Sequence, residues 1–328
     1  MGRCQQLRFG LLAAACVVSW ARLQAQAPAY TPPHLPPPRG FRVLIVPDME
    51  GMGSAVDLHE VIAGNEGEQY KTLTSSDYWD HFRDLLTREV NATITGARLA
   101  GARSFVVNEG HGGNLFANVL PWSLDTAAIL IRGFPKPLLM VTGIDSTVGT
   151  LMFTGAHAGA GRPGILSHNF AFDSFTVNGK SLNEVGINAL IAAEYGVAVS
   201  LVSGDDATIA ETREILGSAF VGIVTKYAVG RMAAITFSPA RVRRMLTDSA
   251  ALAVLRARRG DFKPFRLELP YHVELTLRRS YPESIVQGVD SLNWSGLEKT
   301  GERSYRFTTS DARQIGYLID AIEVVVLH

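Results

Sequence analysis

From Phe41 onward the chain alternates between apolar runs of strand length and longer stretches with helical spacing. Strand-like runs lie at 41–47, 103–108, 127–132, 151–156, 197–203 and 219–224. Between the first two, over about 77–100, Trp79, Phe82, Leu85, Leu86, Val90, Ile94 and Leu99 recur at threes and fours, which predicts an amphipathic helix. Further helices are expected from Ser181, from Asp205 or Asp206, over 239–258 after the Ser238-Pro239 start signal, and from near Ser310 to the end. "FRLELPYHVELTLRRS" (265–280) switches to strict apolar–polar alternation, as a half-exposed strand does. Strands alternating with helices predict an α/β fold. It is layered, with a largely parallel or mixed sheet flanked by helices and a smaller C-terminal α+β part. The expected division is an α/β domain over 41–260 and a C-terminal α+β part of the same unit over 261–328.

Before Phe41 the pattern differs. Arg3 and Arg8 precede an apolar stretch from Phe9 to Ala21, and small residues follow at Ala25 and Ala27. That layout predicts a secretory signal over 1–25, with cleavage after Ala25. Residues 26–40, "QAPAYTPPHLPPPRG", read as a proline-rich tether carrying His34. The mature chain is then expected to be secreted or periplasmic, with no membrane span. A lipid anchor through Cys16 is the lesser alternative.

Cys4 and Cys16 are the only cysteines, so a mature chain has no thiolate ligand, disulfide or cysteine nucleophile. Any metal must be held by His, Asp and Glu. Thirty-one basic residues face 31 acidic ones, and removing Arg3, Arg8 and Arg22 leaves 28 against 31, a net −3. Such a balance gives nucleic-acid binding no electrostatic support.

Chemistry-bearing residues gather where strands are expected to end. Asp48 and Glu50 follow the first run in "VLIVPDMEGMGS", and residues two apart share a face in extended chain. Two carboxylates so close repel unless a cation lies between them; a turn pair is the bland alternative. His111 in "FVVNEGHGGN" follows the second run, with glycines that allow close approach. His157 and His168 lie in "FTGAHAGAGRPGILSHN" after the fourth. Each histidine taken singly reads as a loop or core residue. Glu184 forms S-x-x-E with Ser181, which reads as a capping box. Jointly, these residues supply the ligand types of a catalytic zinc. His59-Glu60 starts no zincin helix, because Ala63 stands where the second histidine belongs. "NGKS" (178–181) is no P-loop, because Ser174 replaces its first glycine.

The chain resembles the DppA-type zinc D-aminopeptidases. The matching pieces are "DMEGMGS" (48–54), "NEGHGGN" (108–114), "GAHAGAGRPGILSH" (155–168), "NGKSLNEVGINA" (178–189) and "VSGDDA" (202–207), in the family's order. The resemblance implies two Zn2+ per subunit, held by Asp48, Glu50, His111, His157 and Glu184, with Asp48 bridging them. It thereby sets aside the capping role of Glu184. It also implies a catalytic role for His168, short peptide substrates with N-terminal D-residues such as D-Ala-D-Ala, and a ring-shaped homo-oligomer. Glu109 stands where the family usually has Asp, and 55–76 departs from its pattern. Rival readings are another metal-dependent amidase or phosphoesterase, or a secreted metal-binding protein without turnover.

Overall fold

A computed structural model describes residues 35–62 and 75–327. The signal segment, Cys16, His34 and most of the tether lie outside these residues, as do 63–74.

The chain opens with β1 (Arg42–Pro47) and a short helix α1 (Leu58–Val61). There follow α2 (Ser75–Leu99), β2 (Ser104–Asn108), β3 (Ala128–Ile131) and β4 (Val148–Ala156). Next are β5 (Phe172–Val177), β6 (Lys180–Ser181), α3 (Glu184–Ala193), β7 (Val199–Asp205) and α4 (Asp206–Leu216). β8 (Val221–Gly230), β9 (Ala233–Thr236), α5 (Pro239–Arg258), β10 (Tyr271–Leu277) and α6 (Glu283–Asp290) come after them. β11 (Glu298–Lys299), β12 (Ser304–Thr309) and α7 (Ala312–Leu327) complete the chain.

The main sheet has the order β3-β2-β1-β4-β7-β8-β9. Its pairs are parallel except β8 with β9, so the sheet is mixed only at that edge. β1 lies inside it, between β2 and β4, and is buried at all six positions, which explains its unbroken apolar run. Side chains still alternate. Leu44 and Val46 face one core with α3 and α7, whereas Val43 and Ile45 face another with α2 and α5. The first core continues past these helices into a second, antiparallel sheet, β11-β12-β10-β5-β6.

The expected fold class is the observed one, with differences in detail. β8 runs six residues beyond the expected 224 and returns as β9. The alternating 265–280 stretch pairs only as Tyr271–Leu277. β10 lies between β5 and β12, so the second sheet draws strands from both sides of residue 260. β5 has no long apolar run; its exposed face is polar and its signal lies in a pairing with the distant β10, Val177 opposite Val273. Ser181 ends in β6, and the helix expected there starts at Glu184 behind an Asn183 cap.

Candidate metal centre

Parallel pairing of β2, β1 and β4 brings their carboxyl ends to one edge. That edge is where an open α/β sheet places its active groups. Asp48 and Glu50 leave β1, His111 follows β2, and His157 follows β4 directly. Glu184 is the first residue of α3, and His168 lies on the loop before β5.

The six side chains converge. His111 Nδ1 lies 2.9 Å from Glu50 Oε2 and 3.3 Å from Asp48 Oδ1. His157 Nε2 lies 3.5 Å from both Asp48 Oδ2 and Glu184 Oε2. His168 Nε2 lies 3.9 Å from Glu50 Oε1 and from Glu184 Oε1, and its ring stacks on His157 at 4.0 Å between centroids. Asp48 thus turns one oxygen to each of two histidines. Two donor trios share it: Asp48, Glu50 and His111, and Asp48, His157 and Glu184; in each, the donor atoms lie within 4.8 Å of one another. Glu50, His157 and His168 form a third such group.

The imidazoles are oriented from behind. His111 Nε2 meets the Val61 carbonyl at 2.6 Å, His157 Nδ1 its neighbour Ala158 at 2.9 Å, and His168 Nδ1 the Leu166 carbonyl at 2.9 Å. A nitrogen beside a carbonyl must donate its proton there, which leaves the opposite lone pair aimed at the cluster. Lone pairs facing carboxylates repel unless a cation or a proton intervenes. This donor arrangement fits a divalent metal, and zinc takes such nitrogen and oxygen donors.

The electrostatics agree. Burial works against a charged His157, but Glu184, Asp48 and Glu50 hold its pKa up at about 10. His111 is likewise raised, against burial, chiefly by Glu50 and also by Asp48. Burial and the neighbouring Glu50 push Asp48 up to about 7. Glu50 and Glu184 are lowered despite burial, by His111 and His157 respectively. Protons here occupy positions that a metal would take. His168 goes the other way, pushed down to about 4 by burial and by the His157 charge. It keeps 29% of its side chain exposed, against 2–7% for the other five, so it is the member of the group that faces outside.

Every site residue expected from sequence is in the cluster, and the capping reading of Glu184, already set aside by the resemblance, is not what the structure shows. Glu184 does not cap its helix; Asn183 does, accepting from the Gly186 amide. That leaves Glu184 free to accept from the Phe170 amide and face His157. Glu109 faces away from the metal donors and accepts from the Asn118 and Val119 amides. Sequence reasoning missed the supports. Lys136 donates to the Asn108 side chain and to the Glu109 carbonyl just before His111. Lys226 donates to main-chain carbonyls of the Glu50 loop. Val61 lies in the stretch that departs from the family pattern, and its contribution is a carbonyl, which no side-chain motif records.

Known proteins similar to this chain are D-aminopeptidases. The family model described as D-aminopeptidase matches residues 41–321. A D-aminopeptidase of Bacillus subtilis (strain 168) is 32% identical over 209 residues, which are 63% of this chain and 71% of that protein. The solved structure of the zinc-dependent D-aminopeptidase DppA from Bacillus subtilis, described as a self-compartmentalizing protease, superposes with a TM-score of 0.72 at 26% identity. The match covers 88% of this chain and 96% of that one.

Proposed function

Because the chain belongs to the D-aminopeptidase family, we propose that this zinc peptidase is a dinuclear aminopeptidase that releases N-terminal D-residues from short peptides such as D-Ala-D-Ala. The observation that carries the reading is Asp48, with one oxygen in each of two donor trios. Asp48 would be shared by two ions, with Glu50 and His111 completing one trio and His157 and Glu184 the other. Zinc at these positions supplies Lewis acidity toward the scissile carbonyl and toward a water.

The chain's own groups do the rest. His168 is neutral at ordinary pH, since burial and His157 hold its pKa near 4. With Nδ1 committed to the Leu166 carbonyl, its Nε2 is the atom able to take a proton and return it to the departing amine. Preference for D-residues rests on the family. The self-compartmentalizing relative supports assembly into a homo-oligomeric ring that admits only short peptides. The N-terminal layout supports export to the periplasm or beyond, where cell-wall turnover releases peptides with D-alanine.

Purified protein offered D-Ala-D-Ala and L-Ala-L-Ala tests this. The D-peptide should be cleaved and the L-peptide spared. A chelator should abolish cleavage, and zinc should restore it at about two ions per chain. Equal cleavage of both peptides, or of neither, overturns the proposal.

A further inference from the structure

Strand β8 carries a lysine that the chemistry above does not use. Lys226 is fully buried. Its ammonium donates to the Glu50 carbonyl at 2.5 Å, to the Met52 carbonyl at 2.9 Å and to the Ala55 carbonyl, which engages all three of its protons. Neighbouring side chains complete the grip. The Thr225 hydroxyl lies 2.9 Å from both the Gly51 and the Gly204 carbonyls and shares its one proton between them, and Glu89 of α2 accepts from the Gly53 amide at 3.0 Å. The loop that bears Glu50 therefore gathers three of its carbonyls around one ammonium. Its charge is balanced at longer range by Asp205, Glu89, Glu50 and Glu60.

A buried ammonium is costly to desolvate, and an apolar side chain of similar length would fill the same space more cheaply. What an apolar residue cannot do is draw together carbonyls whose dipoles repel. We infer that Lys226 is a positioning residue for the metal centre, an internal cation that sets the course of residues 50–55 and so holds Glu50 and Asp48 in ligand geometry before any ion arrives. The inference rests on the two-metal reading. It makes metal affinity, and not only stability, depend on a residue that touches no ion.

The test uses the full chain, stripped of metal and kept below its melting temperature. Zinc affinity is measured by competition with a chromophoric chelator, and Co2+ absorption in the visible reports ligand geometry. Lys226→Met should weaken at least one of the two metal equivalents by about 10–100-fold, the range for lost outer supports, and change the Co2+ spectrum. Thr225→Val, a nearly isosteric change at the same loop, should act in the same direction and less. Val273→Ala, buried in the second sheet, lowers stability without touching the loop and should leave affinity and spectrum at wild-type values. Wild-type affinity and spectrum in Lys226→Met overturn the inference, as does an equal loss in Val273→Ala. Should Lys226→Met not fold, unchanged affinity and spectrum in Thr225→Val overturn it. A wild-type chain that binds no zinc sinks the two-metal reading along with it, an outcome distinct from intact binding in every variant.

Discussion

His168 and His157 stack face to face, yet burial and charge assign them different work. His157 is enclosed and held basic by three carboxylates, as a ligand position requires. His168 is neutral and keeps an exposed edge. His168→Ala should therefore leave zinc content at the wild-type level by elemental analysis while kcat falls about 10²–10⁴-fold, the usual contribution of a positioned proton carrier. Loss of zinc in that variant would make it a ligand instead. Glu184 teaches the complementary lesson. Its S-x-x-E spacing suits a cap, but Asn183, two residues beyond the expected start at Ser181, accepts the amide bond, and the carboxylate is released for the site. Local spacing could not decide between two acceptors one position apart; the approach of His157, 27 residues earlier, did.

At the level of elements, the centre depends on how closely two strand ends approach. A Cβ on Gly51 would overlap the Ala156 carbonyl, and one on Gly155, whose φ is +85°, would overlap the Asp48 carbonyl. Gly51 donates to Gly155 at 2.7 Å and Asp48 to Thr154 at 2.8 Å, so the ladder of β1 and β4 continues into the loops that carry ligands. Gly51→Ala should force these loops apart. The expected result is a loss of about 1–3 kcal/mol in denaturant unfolding, as for overpacking elsewhere, together with reduced zinc binding. Wild-type stability would mean that the crossing has room to spare. The glycines were visible in the sequence, whereas the carbonyls they make room for belong to a different strand.

For the whole molecule, zinc should act as a fold-specific ligand, since its donors come from segments as distant as Asp48 and Glu184. Binding must displace protons, and the sign follows from which donors hold them. Asp48 keeps its proton up to about 7 and His157 up to about 10, so protons compete with zinc across that range and less as pH rises. The gain in melting temperature on adding zinc should be small at about pH 5 and grow through about pH 8. Taking the difference between loaded and stripped protein cancels the groups that titrate alike in both. A gain that is flat or falls with pH contradicts the proton competition.

Much of this protein is decided locally. Hydrophobic period places β1, the long helix α2 and the Ser238 start of α5, because burial demands an apolar face whatever the partner. Asp48, Glu50, His111 and His157, close behind apolar runs, were legible as candidates, whereas the ligand role of Glu184 came only through the family resemblance; in a chain whose cysteines lie only at its start, a metal's ligands narrow to imidazole and carboxylate. Tertiary structure alone decided the rest: the pairing of β5 with β10 across the expected boundary, the anchoring of His111 by the Val61 carbonyl, and the closure of three carbonyls on Lys226. Each of these contacts has a main-chain group of a remote segment as a partner. Every residue but proline carries the same amide and carbonyl, so nothing in the order of side chains marks which of them will meet.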